Sequence, residues 1–359
     1  MISEVLKKVH LNYVTLFDSN YLNKGIALAE SLARVATDYT LYIFAFDKVA
    51  YDVLNEVNIP NVELLREDDL LDDYLRSVKQ ERSRAEYCWT CTSVSISYVM
   101  NILKMDNCTY LDTDMLFWSD PRHLIDELVE SGGSVLIVPH FFKCGLKAKL
   151  IKRLYGNYCV EFNTFIGDKG REVLAWWKQN CLEDCYVNSP RGYYGDQKYL
   201  DYFCSNFECV HVLQNRGGGV GPWNIGQYKL VSASGNDITF DFQGHLYKLV
   251  FYHYQGMRSI NDSYYLGQKI WSKGKEDAKL VEIVYGRYIK ELGEIEKKYP
   301  KINSLPDKKT VDGSIEQSKK EHVKSVSMKR RIMIRLLSLI SLPSYLNYRK
   351  KDFYVVREG

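Results

Sequence analysis

Short runs of β-branched and aromatic residues alternate with longer amphipathic stretches along the first 140 residues of the chain. The short runs are typical of strands, and the longer stretches, with apolar residues at helical spacing, are typical of helices that connect parallel strands. The pattern therefore predicts an α/β fold with a mostly parallel, Rossmann-like central sheet flanked by helices. The predicted strands are residues 10–17, 40–46, 61–65, 108–111 and 134–138, joined in the second half by 161–166 and 246–254.

The same periodicities predict helices and a domain division. A helix should begin after Asp120, with this aspartate as N-cap and Pro121 as the first helical residue. Residues 301–321 are polar, contain proline and have almost no large apolar side chains, which is typical of a linker. We therefore divide the chain into a catalytic domain (1–300), a linker (301–321) and a C-terminal tail (322–359). Other predicted helices are residues 20–35, 85–105, 171–180 and 197–204, and a hairpin turn is predicted at 234–236.

Two aspartates, Asp112 and Asp114, directly follow the predicted strand 108–111. Ligands in open α/β sheets bind at the carboxyl ends of the strands. Two carboxylates at this spacing can hold one divalent cation and leave coordination positions for phosphate oxygens. The alternative is that the Asp-x-Asp sequence only ends the strand as part of a turn.

Five short segments occur in a fixed order over residues 10–260. They are VTLFDSNY at 14–21, DTD at 112–114, FNT at 162–164, YGDQ at 194–197 and HYQG at 253–256. In this order they resemble the motifs of the GT-A glycosyltransferases of the nucleotide-diphospho-sugar transferase superfamily. The resemblance is to the glycosyltransferase family 8 type and its bacterial relatives in envelope polysaccharide synthesis.

This resemblance implies a role for each matching residue. A metal ion, Mn²⁺ or Mg²⁺, is expected on Asp112, Asp114 and His253, and the mixed oxygen and imidazole ligands favour manganese. The catalytic pair beside the anomeric carbon is expected to be Asp196 and Gln197. Nucleotide contacts are expected from Phe17, Asp18, Tyr21, Thr113, Gly256 and Arg258. Contacts to the donor sugar or acceptor are expected from Asn163, Trp223 and Asn224.

Each of these residues also has a purely structural interpretation. His253 lies in an aromatic strand, where a histidine is often a core residue with its hydrogen bonds satisfied. Asp196 precedes a predicted helix and could act only as its N-cap. Trp223 follows a glycine-rich segment and could simply pack on the core.

The chain departs from the family pattern at two places. Ser259 stands where the resemblance places a lysine on the diphosphate, and Arg258 precedes it. Tyr87 and Trp89 occupy the region in which an arginine is expected, and Arg84 lies one turn upstream. These departures bear on the identity of the donor sugar more than on the class of reaction.

The implied activity is transfer of a hexosyl group from a nucleotide-sugar, expected to be a UDP-sugar, to a saccharide or lipid-linked saccharide acceptor. The family 8 pattern implies retention of anomeric configuration, and the bacterial relatives imply a role in lipopolysaccharide or other surface polysaccharide synthesis. A sugar-1-phosphate nucleotidyltransferase is an alternative, although its glycine-rich, lysine-containing loop is missing between Asp18 and Gly25. A catalytically inactive scaffold that binds nucleotide-sugars is a second alternative.

The net charge of +3 gives no indication of nucleic-acid binding by the whole chain. Residues 319–351 nevertheless contain ten basic residues and one acidic residue. Because Lys329, Arg330, Arg331 and Arg335 stand beside or within a mainly apolar run at 332–342, this tail suits an anionic membrane surface. We expect a cytoplasmic protein attached peripherally to the inner membrane, with no transmembrane helix and no nucleic-acid partner. The alternative is a C-terminal helix that docks on the catalytic domain or another subunit.

Nine cysteines without regular spacing indicate a reducing cytoplasm. Cys88 and Cys91 have the spacing of a zinc knuckle, and four more distant cysteines could complete one. The pair lies within a predicted helix, however, and buried free thiols are the favoured interpretation.

Overall fold

The computed structural model describes residues 9–260, 263–266, 277–302 and 353–355. The strands in the first half are β1 (Leu11–Phe17), β2 (Tyr39–Ala45), β3 (Val62–Arg66), β4 (Asn107–Leu111), β5 (Met115–Phe117), β6 (Val135–Pro139) and β7 (Tyr158–Ile166). Those that follow are β8 (Val210–Val212), β9 (Lys229–Ser234), β10 (Asp237–Phe242), β11 (His245–Lys248), β12 (Phe251–His253), β13 (Arg258–Ile260), β14 (Ser263–Tyr265) and β15 (Phe353–Val355).

The helices flank these strands. In chain order they are α1 (Leu22–Val35), α2 (Lys48–Val57), α3 (Asp73–Glu81), α4 (Arg84–Ser97), α5 (Arg122–Glu130), α6 (Leu146–Tyr155), α7 (Gly167–Glu183), α8 (Phe203–Asn206) and α9 (Ala278–Lys298). A π-helical turn, Tyr98–Ile102, extends α4.

Seven strands form the central sheet in the order β3-β2-β1-β4-β7-β6-β8. Neighbours are parallel except at β7, which runs antiparallel to both β4 and β6. This mixed α/β architecture with a mostly parallel central sheet confirms the predicted fold class. Two smaller antiparallel sheets contain β9–β11 and β13–β15, and β5 pairs with β12.

Both faces of the central strands are buried, which explains why these strands are rich in apolar residues at consecutive positions rather than alternating. In β1, Tyr13 and Phe17 contribute to the core on one face, and Val14 and Leu16 contribute to the core on the other. Gly25 of α1 packs so close to the Phe17 ring that an added Cβ atom would lie 2.2 Å from it. A glycine is therefore needed where α1 crosses β1.

Most predicted elements are present with boundaries shifted by a few residues. One prediction is wrong: the strand expected at 246–254 is two strands. The chain leaves the β10–β11 hairpin at Val250, whose N–H donates to the Gly217 carbonyl and whose own carbonyl accepts from Trp118. This exchange of partners moves β12 onto β5.

The start of α5 also differs slightly from the prediction. Pro121 is the N-cap, and Asp120 accepts a hydrogen bond from the N–H of Arg122 at 2.9 Å. The predicted N-cap role of Asp120 is therefore wrong, because the helix begins one residue later than predicted and Asp120 precedes the N-cap. Helix α6, a basic segment that the periodicity did not predict, precedes β7.

The linker and the tail lie largely outside the described residues, so their boundaries remain predictions. Within the tail, β15 pairs with β14 and thus contacts the catalytic domain. No helix in the described ranges is both long enough and apolar enough to span a membrane.

Candidate active site

Pairing of two short strands brings the predicted metal ligands together. Asp112 and Asp114 lie between β4 and β5, and His253 ends β12 opposite Met115 of β5. The N–H of Tyr254 also donates to the Asp114 carbonyl at 2.8 Å. Residues almost 140 positions apart in the sequence therefore meet at the carboxyl end of β4.

The His253 ring is buried and contacts three carboxylates. Nε2 lies 3.0 Å from an Asp114 oxygen and 3.6 Å from an Asp112 oxygen. On the other side of the ring, Nδ1 lies 2.7 Å from Glu161 of β7, which is fully buried. Glu161 thus fixes the ring so that Nε2 faces both aspartates.

The carboxylates differ strongly in acidity. Burial, reinforced by Asp114, outweighs the attraction of His253 and raises the pKa of Asp112 to about 8. Burial opposes ionisation of Asp114 too, but His253 and Lys24 lower the pKa of Asp114 below its ordinary value. For His253, the surrounding carboxylates overcome burial and raise the pKa well above 6.5. A cation is therefore favoured at the centre of this cluster.

These side chains fit a divalent cation. Adjacent ligands of a six-coordinate ion with bonds of about 2.1 Å lie about 3 Å apart, which is close to the spacing of Nε2 and Asp114. Asp112, Cys159 and His253 also offer ligand atoms within 4.8 Å of one another. However, the Cys159 thiol lies 3.9 Å from Nδ1, the ring nitrogen that is already hydrogen-bonded to Glu161. Asp114 and Asp112 thus face Nε2, whereas Cys159 lies on the Nδ1 side of the ring.

The predicted nucleotide-contacting residues lie beside β1 and the start of α1. The Asp18 carboxylate pairs with Arg84 of α4 at 3.1 Å, and the Tyr21 ring is 40% exposed. Thr113 is buried and donates to the Leu16 carbonyl at 3.1 Å. Phe17 is also buried, with its ring against Gly25, so its side chain serves the core.

Two further predicted residues belong to the turn after β12. Gly256 has a φ of +76°, which favours glycine. Arg258 begins β13, but its side chain lies outside what the structure describes.

Asp196 is the N-cap and Gln197 the first residue of a short 3₁₀ helix, Gln197–Tyr202, that contacts β7. Burial raises the pKa of Asp196 to about 7, although a hydrogen bond from Thr92 of α4 partly opposes this. The negative charge of Asp196 also contributes to the raised pKa of Asp112, so the two carboxylates lie within electrostatic range. The Gln197 amide donates to the Tyr155 carbonyl at 2.7 Å.

Asn163 lies in β7, paired with Tyr110 of β4. It is fully buried, and neither its amide nitrogen nor its amide oxygen has a hydrogen-bond partner within the described part of the chain. An unpaired buried amide costs free energy unless a ligand satisfies it. Both polar atoms of the Asn163 side chain therefore await a partner that the described residues do not supply.

Trp223 and Asn224 differ in whether their polar side-chain atoms have hydrogen-bond partners. The Trp223 ring packs edge-on to His253 at 5.4 Å, and its buried Nε1 has no partner among the described residues. The Asn224 side chain accepts from Gly221 and donates to the carbonyls of His140 and Gly219. The Asn224 side chain therefore stabilises the glycine-rich loop at 217–221. The indole N–H of Trp223, by contrast, is a donor without an acceptor among the described residues.

Sequence reasoning missed Glu161 and Lys24. A glutamate inside the strand YCVEFNTFI, most of which is apolar, was the available signal, because a buried carboxylate needs a partner. The zinc alternative finds no support in the described residues, where all nine cysteines are free and Cys88 and Cys91 belong to no metal-ligand cluster.

Comparison with known proteins identifies two clear sequence relatives. YfnF of Bacillus subtilis (strain 168), an uncharacterized protein, is 31% identical over 259 residues, which are 70% of this chain and 83% of YfnF. YfnD of the same organism, also uncharacterized, is 27% identical over 288 residues, 77% of this chain and 87% of YfnD. No protein-family model matches the sequence.

Solved structures show a more distant similarity. The galactosyltransferase LgtC, in complex with donor and acceptor sugar analogs, aligns with 85% of this chain and 100% of its own at 12% identity and a TM-score of 0.48. Mouse xyloside xylosyltransferase 1 in its apo form aligns with 69% of this chain and 98% of its own at 15% identity and a TM-score of 0.43.

Proposed function

The chain belongs to the same family as YfnF of Bacillus subtilis, and we propose that it is a metal-dependent GT-A glycosyltransferase of the family 8 type. The observation that carries this proposal is the convergence of Asp112, Asp114 and His253 at the carboxyl end of β4. Glu161 holds the histidine in place, and the unsatisfied amide of Asn163 lies in the adjacent strand. A cation site beside a polar sugar subsite is what a nucleotide-sugar donor requires.

The chemistry follows from the charge that develops on the leaving group. When the bond between the sugar and the diphosphate loosens, negative charge accumulates on the phosphate oxygens. A bound Mn²⁺ or Mg²⁺ would neutralise that charge and make the nucleoside diphosphate a better leaving group. Asp112, Asp114 and His253 would hold the ion, and Glu161 would keep His253 oriented.

The remaining site residues position the donor. Asp18 and Tyr21 would contact the nucleoside of a UDP-sugar, with Thr113 supporting the loop beneath it. Asn163 would hydrogen-bond a sugar hydroxyl, and Asp196 with Gln197 would stabilise the anomeric centre as it becomes positively charged. We propose retention of configuration because the family 8 pattern implies it.

The acceptor is proposed to be a saccharide or lipid-linked saccharide in bacterial lipopolysaccharide or other surface polysaccharide synthesis. The basic tail supports a location at the cytoplasmic face of the inner membrane, because four cations beside or within a mainly apolar run suit anionic lipid. Pairing of β15 with β14 is compatible with this, since a tail anchored at its end would hold the domain close to the surface.

A donor-hydrolysis assay tests the proposal. The purified protein is incubated with a panel of nucleotide-sugars in Mn²⁺ and then in EDTA, and release of nucleoside diphosphate is measured. We expect release from one class of donor, abolished by EDTA and by Asp114→Asn.

The matched control is Asp106→Asn, because the Asp106 side chain is 94% exposed and remote from the cluster. Activity that survives both EDTA and Asp114→Asn would contradict the proposal. Formation of nucleotide-sugar from sugar 1-phosphate would instead identify a nucleotidyltransferase.

A further inference from the structure

Lys24 of α1 contacts the metal-binding cluster from the side of the nucleotide pocket. Its ammonium lies 3.7 Å from an Asp114 oxygen and donates a hydrogen bond to the Met257 carbonyl at 3.1 Å. It also lies 4.8 Å from the centre of the Tyr21 ring. The side chain is only 16% exposed, so this cation is held in place by its surroundings.

The position of Lys24 in its helix is electrostatically unfavourable by itself. Lys24 lies in the first turn of α1, where the helix dipole already contributes positive charge. A partly buried lysine there needs an anionic neighbour, and Asp114 supplies one. Yet Asp114 already binds His253 through its other oxygen, and 3.7 Å is longer than a direct hydrogen bond. Lys24 therefore places a positive charge on the Tyr21 side of Asp114, away from His253.

The geometry assigns a route for the donor. Asp18 and Tyr21 mark the nucleoside end of the pocket, and Asp114 marks the metal end. Lys24 lies between Tyr21 and Asp114 and contacts both. The group that joins a nucleoside to a metal-bound phosphate is the diphosphate, whose oxygens suit an ammonium partner.

We propose that Lys24 binds the diphosphate of the donor. The ammonium would donate to a phosphate oxygen while a cation on Asp114 binds the same diphosphate from the other side. Lys24 would thereby make the site selective for nucleoside diphosphates over nucleoside monophosphates. This inference rests on the proposed function, since it assumes that a nucleotide occupies the pocket.

Calorimetric titration of the full-length protein with UDP and with UMP, both in Mn²⁺, tests the proposal. Three variants are compared with wild type: Lys24→Met, Lys24→Arg and the control Lys48→Met. Methionine keeps the apolar stem of lysine without its charge, and arginine keeps a cation that can bind phosphate. Lys48 of α2 is 81% exposed and pairs with Asp52, so its substitution should change neither titration.

We expect Lys24→Met to weaken UDP binding at least tenfold and UMP binding less than threefold. Lys24→Arg should keep most of the preference for UDP, and Mn²⁺ binding without nucleotide should persist in both variants. Equal loss of UDP and UMP binding, or loss of Mn²⁺ binding alone, would overturn the proposal in favour of a structural role on Asp114. Unchanged UDP binding by folded Lys24→Met would overturn it as well.

The same titrations separate this proposal from the proposed function. If wild type binds UDP and Lys24→Met binds it equally well, only the role of Lys24 is wrong. If wild type binds neither UDP nor any other nucleoside diphosphate, both the proposed function and the role of Lys24 are wrong.

Discussion

The Glu161 carboxylate lies 2.7 Å from Nδ1 of His253, with Glu161 fully buried in β7. This pair has the arrangement of a carboxylate that orients a metal-binding histidine and raises its basicity. The second Glu161 oxygen is buried and has no hydrogen-bond partner in the described ranges, so His253 is the main compensation for this charge. The pair links the core of the central sheet to the carboxylates Asp112 and Asp114.

Glu161→Gln should weaken Mn²⁺ binding about 10-fold to 100-fold, because glutamine keeps the volume but loses the charge that supports His253. The affinity can be measured by calorimetry or by the electron paramagnetic resonance signal of free Mn²⁺. Glu183→Gln on α7 is the control, since that side chain is 40% exposed. An unchanged affinity in folded Glu161→Gln would show that the pair does not support a metal.

Asp196→Asn should stabilise the fold at high pH and not at low pH. The raised pKa of Asp196, about 7 compared with 3.8, means that the unfolded chain ionises first as the pH rises. Wild type therefore loses stability between pH 4 and pH 7, by up to about 4 kcal/mol, and asparagine avoids this loss.

Urea unfolding of wild type and Asp196→Asn at pH 4, 6 and 8 measures this effect. The two proteins should differ little at pH 4, and the variant should be more stable at pH 8 although donor hydrolysis is impaired. A stability difference that stays constant over the three pH values would refute the assigned titration.

Asn163→Leu should stabilise the protein without ligand and impair donor binding. Leucine has nearly the shape of asparagine and replaces two buried polar atoms that have no partner among the described residues. The expected gain is about 1–3 kcal/mol in the free energy of unfolding, measured with urea. The affinity for a nucleotide-sugar should fall, whereas the affinity for the matching nucleoside diphosphate should change little. A destabilised variant that hydrolyses donor normally would assign Asn163 to the fold alone.

Replacing Lys329, Arg330, Arg331 and Arg335 with glutamine should strongly weaken binding to anionic vesicles. Each basic residue near such a surface contributes about 1 kcal/mol, so four changes remove about 4 kcal/mol of the attraction, while six basic residues of 319–351 remain. Co-sedimentation with vesicles that contain phosphatidylglycerol measures it, and Lys48→Gln with Lys290→Gln is the control, since both lysines are more than 70% exposed. Equal recovery of variant and wild type on the vesicles would favour a tail docked on protein.

The central sheet was predictable because its determinants are local. Strands β1, β2 and β4 are short runs rich in apolar and aromatic residues with amphipathic helices between them, and this pattern indicates a parallel sheet buried on both faces. Asp112 and Asp114 were recognisable as a candidate site because they directly follow such a run. Neither inference required knowledge of residues distant in the sequence.

The rest of the site depends on contacts between distant segments. His253 reaches Asp114 because the chain leaves the β10–β11 hairpin at Val250 and pairs β12 with β5, which no local pattern encodes. The role of Glu161 cannot be predicted without knowing that His253 faces it. Lys24 has the sequence context of an ordinary surface residue of an amphipathic helix, and only the packing of α1 beside Asp114 shows its contact with the cluster. The local sequence therefore indicated Asp112 and Asp114 as a candidate site but not Glu161 and Lys24, the charged residues beside them.

Calorimetric titration of the purified protein with a panel of nucleoside diphosphates, first in Mn²⁺ and then in EDTA, tests the central claim most directly. The account predicts that one nucleoside diphosphate binds in Mn²⁺, that EDTA abolishes the binding, and that Asp114→Asn does the same while Asp106→Asn binds normally. Absence of binding by every nucleoside diphosphate in Mn²⁺, or binding that EDTA leaves unchanged, would contradict a metal-dependent nucleotide-sugar site at Asp112, Asp114 and His253.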